Sequence, residues 1–148
     1  KKKKNIKLII LGKGQEKKKL IQLRNKLNLT KKIQFFNFNN PNKFYKRSGI
    51  FVLSSLFEGL PNVLLESMSY GLPIVSTNCL SGPKEILENN KYGYLCNVDD
   101  HRDLAKKILF ANKNYKNALI KIENGRKNLL KYDYNVQCKK YIQTINSL

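Results

Sequence analysis

The sequence has few of the residues that carry most metal and nucleophilic chemistry. It contains one histidine, His101, and three cysteines, Cys79, Cys96 and Cys138, with no CxxC pair and no zinc-type Cys/His spacing. A Ser-His-Asp triad would need that single histidine, which lies in an acidic cluster at 98–103. This cluster is more typical of a helix cap than of a metal site. We therefore expect reduced structural thiols, as in a cytosolic protein, and no metal centre.

Long apolar runs are also missing. No stretch approaches the about 20 apolar residues that cross a bilayer. The lysines at 1–4 precede a short apolar run that Lys7 interrupts, which does not fit a secretion signal. We expect a cytoplasmic protein whose membrane contact, if any, is peripheral at the inner face. At 148 residues and 41% hydrophobic content, the chain is long enough for one domain with a core.

Acidic residues are scarce, since 10 Asp and Glu stand against 29 Lys and Arg, for a formal charge of +19. Such an excess favours acidic partners, including nucleotide phosphates, nucleic acid or an anionic membrane surface. Aromatic residues between 35 and 45, with lysines nearby, also fit a surface that stacks nucleic-acid bases. However, the lysines are spread along the chain and mixed with asparagines, as in a solvated surface. A non-enzymatic, basic nucleic-acid-binding module therefore stays open as the alternative.

Apolar segments alternate with amphipathic ones along the whole chain. Strands are predicted at 6–11, 33–36, 50–53, 72–76 and 94–96. Helices are predicted at 15–27, 41–46, 61–70, 83–88, from the acidic cluster onward, at 115–132 and at 135–146. Strands that alternate with helices indicate the α/β class, with a mostly parallel, Rossmann-like sheet covered by helices on both faces and with right-handed connections.

Two carboxylates, Glu58 and Glu66, lie on either side of a turn that follows the strand at 50–53. In helical geometry Asn62, Glu66 and Ser69 share one polar stripe, and Glu66 leans back toward the turn. We therefore expect both carboxylates to face one cleft at the carboxyl edge of the sheet, where open α/β sheets bind ligands. The alternative is that one is an ordinary loop charge and the other a solvated helix residue.

The beginning of the same helix carries positive partial charge. The backbone N–H groups of Val63 and Leu64 are predicted to lack an intrahelical acceptor and therefore to suit a phosphate. Carboxylates for hydroxyl groups and amides for a phosphate together suit a sugar nucleotide.

The segment from Ser55 to Thr77 resembles the donor-binding domain of retaining GT-B glycosyltransferases of family 4. The resemblance rests on Glu58-x7-Glu66, the Gly59-Leu60-Pro61 turn, the Gly71-x-Pro73 corner and the strand Val75-Ser76-Thr77, and it continues through 81–87 and 92–95. The segment 79–83 is most similar to bacterial enzymes that transfer N-acetylhexosamines in surface-glycan assembly.

The resemblance implies that a hexose or N-acetylhexosamine is transferred with retention from a nucleotide sugar, expected to be UDP-linked, to a hydroxyl of a glycan or lipid-linked acceptor. It implies that Glu66 binds the ribose hydroxyls and that Glu58 contacts the sugar and stabilises an oxocarbenium-like transition state. The other expected substrate-binding residues are Gly59, Leu60, Asn62, Val63 and Leu64 at the turn and helix start, Gly12 and Gly14 after the first strand, Phe38 beside the base, and Ser81 and Gly82 in the following loop. Because no Asp-x-Asp motif occurs, we expect no metal and no cofactor.

Several of these residues also have simpler interpretations. Gly12 and Gly14 fit a tight turn, Phe38 fits a core or rim aromatic, and Ser81-Gly82 fits an ordinary loop before a helix. A sugar-nucleotide isomerase or hydrolase on the same fold would need a water- or proton-activating group, which the sequence does not present.

Residues 1–148 are interpreted as one nucleotide-sugar-binding domain. The resembling enzymes have a second, acceptor-side domain and an initial strand-helix unit that carries an Arg and a Lys for the diphosphate. Neither is found in this sequence, so we expect the N-terminal acceptor domain of the same enzyme as a partner.

Overall fold

The computed structural model of the protein describes residues 6–37 and 40–147. Strands and helices alternate between residues 8 and 113, as predicted, and the elements fall into two compact units, Lys1–Phe44 and Tyr45–Leu148. Each unit has its own parallel sheet, with the strand order β1-β2 in the first and β3-β4-β5 in the second. The parallel α/β class is therefore confirmed, although the strands pair in two sheets rather than in one continuous sheet.

The first unit is a strand-helix-strand motif. Strands β1 (Leu8–Leu11) and β2 (Ile33–Phe36) pair in parallel, and helix α1 (Lys17–Lys26) lies between them in the chain. Arg24, in the last turn of α1, places its guanidinium 5.7 Å from the ring centre of Phe35. Helix α2 (Asn42–Tyr45) follows and ends with the first residue of the second unit.

The second unit contains the stretch that the sequence singled out. Strands β3 (Phe51–Leu53), β4 (Ile74–Thr77) and β5 (Tyr94–Cys96) pair in parallel with β4 in the centre. Helix α3 (Asn62–Ser69) connects β3 to β4, and helix α4 (Pro83–Ile86) connects β4 to β5. Because the strands are parallel, the loops that follow all three emerge at the same edge of this sheet.

The core of the second unit lies on both faces of β4. Ile74 belongs to one buried cluster with Leu64 and Met68 of α3, whereas Val75 belongs to another with Ala111 and Ala118. Successive side chains of a strand point to opposite faces, so β4 supplies both clusters. This arrangement confirms the expected helices on both faces, and it fixes α3 by its apolar side.

Three helices complete the chain: α5 (His101–Lys113), α6 (Tyr115–Lys127) and α7 (Tyr134–Asn146), with a 3-10 helix at Leu129–Tyr132. Asp100 caps α5, since its carboxylate accepts hydrogen bonds from the Arg102 and Asp103 amides at 3.0 and 2.8 Å. The interpretation of the cluster at 98–103 as a cap is therefore confirmed. The helix predicted at 115–132 ends at Lys127 instead, because the chain tightens into the 3-10 turn after Asn128.

Among residues 6–37 and 40–147, no helix combines the length and the apolar character needed to cross a bilayer. In the same residues, His, Cys, Asp and Glu side chains form no group of three that could hold a metal ion.

Candidate functional site

Glu58 lies in the loop that follows β3, at the carboxyl edge of the three-stranded sheet. Its side chain is half-buried, and Oε1 accepts a hydrogen bond from the Ser55 hydroxyl at 2.6 Å. Its backbone carbonyl accepts a second bond from the Ser81 hydroxyl at 2.8 Å. The carboxylate is therefore held from within its own loop, and the backbone is held by the loop after β4.

The backbone of Ser55 is held in turn by two buried side chains of the neighbouring strand and loop. Its carbonyl oxygen accepts bonds from the Thr77 hydroxyl at 2.6 Å and from the Cys79 thiol at 3.1 Å. Thr77 is the last residue of β4 and is 4% exposed, and Cys79 is 2% exposed. The loop that carries Glu58 is thus attached to the central strand of the sheet.

Gly82 brings the loop after β4 into close contact with the Glu58 turn. Its φ angle is +80°, and a Cβ added there would lie 2.0 Å from the Gly59 carbonyl oxygen and 2.6 Å from Pro61 Cδ. Only glycine fits this position, because a side chain would collide with the backbone of the turn. In the structure Ser81 and Gly82 therefore support the turn, and direct contact of either residue with a ligand stays a prediction.

Glu66 lies on α3 with an exposed side chain, and its Oε2 accepts a hydrogen bond from the Tyr45 hydroxyl at 3.0 Å. Tyr45 is 6% exposed and packs against the rings of Phe51 and Tyr70, with ring centres 5.9 and 5.2 Å away. Burial, followed by the hydrogen bond to Glu66, raises the pKa of the Tyr45 phenol above its ordinary range. The phenol therefore stays protonated and donates to Glu66 at every physiological pH.

The first turn of α3 differs from the prediction at one amide. The Leu64 N–H donates to the Pro61 carbonyl at 2.9 Å, so the expectation of a free amide at Leu64 is wrong. A 3-10-type bond closes the first turn here, which is common at helix starts. The other two backbone amides of this first turn belong to Asn62 and Val63, whose side chains are exposed.

The family model described as "Glycosyl transferases group 1" matches residues 1–128. This chain belongs to the group 1 glycosyltransferases. The resemblance that the glutamate pair and its neighbouring motifs suggested is therefore confirmed at the level of the family, and the family match disfavours a nucleic-acid-binding module.

Individual relatives agree with this assignment. The chain is 54% identical over 84 residues to an uncharacterized glycosyltransferase of Methanocaldococcus jannaschii, a match that covers 56% of this chain and 21% of that protein. It is 37% identical over 101 residues to N-acetylgalactosamine-N,N'-diacetylbacillosaminyl-diphospho-undecaprenol 4-alpha-N-acetylgalactosaminyltransferase of Campylobacter jejuni, a match that covers 68% of this chain and 28% of that enzyme.

The fold agrees as well. A crystal structure of a Staphylococcus aureus TarM variant in complex with fondaparinux, alpha-GlcNAc-glycerol and UDP matches with a TM-score of 0.84 and 27% identity. This match covers 93% of the present chain and 28% of that chain. The GT-B fold is thus confirmed, and the chain spans less than a third of the length of each of these three proteins.

In this glycosyltransferase chain, a cavity of about 180 Å³ opens at the same sheet edge as Glu58. It is lined by Ser54, Leu56, Thr77, Asn97, Asp99, Asp100, His101 and Leu104. Neither Glu58 nor Glu66 lines it, so the cavity borders the Glu58 loop without containing the two carboxylates. Both carboxylates reach solvent, and their convergence on one cleft stays a prediction.

The remaining predicted positions of the glycosyltransferase lie in several loops. Gly59 and Leu60 are exposed beside Glu58, whereas Gly12 and Gly14 lie in the loop after β1 of the first unit. A Cβ added at Gly12, Gly14 or Gly59 would meet no atom within 4 Å, so packing does not require glycine there. Phe38 lies outside the described residues.

Sequence reasoning did not identify the side chains that hold the two glutamates. Ser55 could have been suspected, since a hydroxyl three residues before a loop carboxylate is within local hydrogen-bonding range. Tyr45 carried no such signal, because it precedes Glu66 by 21 positions and reaches it only through the fold.

Proposed function

We propose that this chain binds the nucleotide-sugar donor of a retaining glycosyltransferase. The enzyme transfers a hexose or N-acetylhexosamine from a UDP-linked donor to a hydroxyl of a glycan or lipid-linked acceptor, in the assembly of a surface glycan. The observation that carries the proposal is the pair Glu58 and Glu66, each held by a hydroxyl donor, on the loop and helix that follow β3. The name of the Campylobacter jejuni relative and the UDP bound to the TarM variant support this choice of substrates.

In the proposed reaction Glu66 binds the ribose of the donor. Tyr45 occupies Oε2 of the Glu66 carboxylate, which leaves Oε1 to accept hydrogen bonds from a ribose diol. Bonds between a carboxylate and hydroxyl groups are charge-assisted and therefore strong. The exposed position of Glu66 gives the ribose access.

Glu58 acts on the sugar in this proposal. Its carboxylate contacts the sugar hydroxyls and stabilises the positive charge that develops at the anomeric carbon as the bond to the diphosphate breaks. The contribution is electrostatic and positional rather than nucleophilic, since the carboxylate holds the reacting sugar in place. The hydrogen bond from Ser55 keeps Glu58 ready for this contact.

The helix start and the neighbouring loops complete the proposed donor site. The backbone amides of Asn62 and Val63 carry the partial positive charge at the start of α3. Together with the amides of Gly59 and Leu60, they are proposed to bind the diphosphate. Ser81 and Gly82 are proposed to line the donor as well. The Leu64 amide is left out because Pro61 occupies it.

We propose that an acceptor-binding domain of the same enzyme faces this chain. The support is the share of 28% that the chain covers in both the Campylobacter jejuni enzyme and the TarM variant.

We further propose a cytoplasmic location, peripheral at the membrane, because the net charge of +19 suits an anionic lipid surface that presents a lipid-linked acceptor.

Titration of the full-length protein with UDP tests the donor site. Replacement of Glu66 by Ala removes the charge-assisted bonds to ribose and is expected to weaken UDP binding by about 1.5–3 kcal/mol in calorimetry. Glu123→Ala, an exposed glutamate on α6, serves as the control and should bind UDP like the wild type. UDP affinity in Glu66→Ala equal to that of the control would refute the assignment of Glu66.

A further inference from the structure

Glu58 lies in the turn between β3 and α3. Gly59 and Leu60 follow it directly and are exposed, and a Cβ on Gly59 would meet no atom within 4 Å. Glu58 is therefore followed by two residues that lie at the surface. Catalytic groups need to be held within about 0.5 Å of their working geometry, so a specific contact has to fix this side chain.

We infer that Ser55 is a positioning residue that fixes the Glu58 carboxylate for sugar transfer, and that Thr77 and Cys79 fix Ser55. This inference rests on the proposed function of Glu58. Ser55 donates to Oε1 at 2.6 Å, within the range of short, charge-assisted O–H···O⁻ bonds. Its half-buried position limits the competition of water for the same oxygen.

Ser55 is a suitable support because its own backbone is fixed. Its carbonyl oxygen accepts from Thr77 and from Cys79, so both of its lone pairs are used by buried donors. Thr77 pairs with Cys96 at the end of the β4–β5 ladder. A continuous path of hydrogen bonds therefore leads from the Glu58 carboxylate to the central strand of the sheet.

The backbone end of Glu58 is fixed independently. Ser81 donates to the Glu58 carbonyl, and Gly82 packs directly against the Gly59 carbonyl oxygen. With the backbone held by one loop and the carboxylate by Ser55, the side-chain torsions of Glu58 are restrained at both ends. Within this network, the Ser55 hydroxyl is the group that contacts the Glu58 carboxylate itself.

Substitutions at Ser55 in the full-length protein test the inference. The wild type is first screened with UDP-sugars, and UDP release is measured with a donor that it turns over. Ser55→Ala should lower kcat by about 10- to 100-fold, the range for loss of a hydrogen bond to a charged group. The dissociation constant for UDP should change by less than about 2-fold, because Ser55 acts on the sugar side of the donor.

Three further variants separate positioning from a structural role. Ser55→Thr retains the hydroxyl and should restore most of the lost kcat, and Ser55→Cys should give an intermediate rate if Ser55→Ala fails to fold. Ser54→Ala removes the neighbouring hydroxyl and should keep the wild-type rate. A loss of kcat in Ser54→Ala equal to that in Ser55→Ala would overturn the inference.

A double-mutant cycle with Glu58 distinguishes the inference from the proposed function. In a Glu58→Gln background, Ser55→Ala should lower kcat by less than about 3-fold, because the carboxylate that Ser55 positions is already gone. The same fold loss of kcat from Ser55→Ala in both backgrounds would show that Ser55 stabilises the loop and does not position the carboxylate. Wild-type turnover in Glu58→Gln would instead refute the proposed role of Glu58, and wild-type turnover in Ser55→Ala beside an impaired Glu58→Gln would refute only the role of Ser55.

Discussion

At the scale of single residues, the two glutamates share a common arrangement although they lie on different elements. Each carboxylate accepts from one hydroxyl group, Glu58 from Ser55 and Glu66 from Tyr45, at 2.6 and 3.0 Å. A hydroxyl group brings no positive charge to the carboxylate that it contacts, whereas Lys or Arg would. These hydrogen bonds thus restrict the orientation of both carboxylates.

Replacement of Tyr45 by Phe tests this arrangement at Glu66. The substitution keeps the ring that packs against Phe51 and Tyr70 but removes the donor to the carboxylate. We expect UDP binding to weaken by about 0.5–1.5 kcal/mol in calorimetry, since Glu66 would then have to be ordered by the ligand itself. Tyr70→Phe, which changes a ring partner of Tyr45, is the control, and an equal loss in both variants would contradict the prediction.

Each glutamate is paired with a hydroxyl group, and the sequence identified the two glutamates but not the hydroxyl groups. Glu58 and Glu66 stand out because carboxylates near a turn and helix start are chemically specific. Tyr45 does not stand out, because a tyrosine in an aromatic run is common, and Ser55 carries only the weak signal of a hydroxyl three residues before a carboxylate. Only the packing of Tyr45 beneath α3 and the attachment of the Ser55 carbonyl to β4 assign them a role.

At the scale of elements, the loops after β3 and β4 form one unit through Gly82. Replacement of Gly82 by Ala should lower the free energy of unfolding by about 1–3 kcal/mol, since its φ angle is +80° and the new Cβ would collide with the Gly59 carbonyl. Urea denaturation measures this loss. Gly59→Ala, whose Cβ would meet open space, is the control, and equal stability of the two variants would contradict the predicted collision.

The order and type of the elements were predictable from the sequence, whereas their pairing was not. The strands β2 and β5 have the predicted bounds, and Gly71 closes α3 with a φ angle of +70°, as expected of a helix C-cap. Periodicity identifies a strand but does not specify its neighbour, which explains why the division into two sheets was missed. The bond from the Leu64 amide to Pro61 was missed for a similar reason, because the sequence does not distinguish a 3-10 start from an α start.

At the scale of the whole molecule, one charged cluster links segments that are distant in the chain. Glu88, after α4, accepts bonds from Lys131 at 2.8 Å and from Lys91 at 3.0 Å. Together these bonds lower the pKa of Glu88 from its ordinary 4.5 to about 2, and the bond from Lys131 has the largest effect. A carboxyl group whose pKa is lowered in the folded state adds stability above its ordinary pKa, and this stability is lost as the pH falls from 4.5 to about 2.

Replacement of Glu88 by a residue that does not titrate should therefore reduce the loss of stability at acid pH. We expect the free energy of unfolding of the wild type to fall more between pH 6 and about pH 2.5 than that of Glu88→Gln, as measured by urea denaturation at several pH values. Glu123→Gln, which removes an ion pair within α6 alone, is the matched control. An acid limb in Glu88→Gln as steep as that of the wild type would contradict the prediction.

Under the proposed role of Glu58, the contact at Gly82 limits how the sugar preference of this chain could be changed. Because the two loops touch through backbone atoms, a longer insertion in either one would push the other away and misplace Glu58. Diversification at this edge should therefore proceed by exchange of outward-facing side chains, such as Leu80 or Phe57, at constant loop length. An engineer who redesigns donor choice would gain more from a substitution library at such positions than from loop grafting.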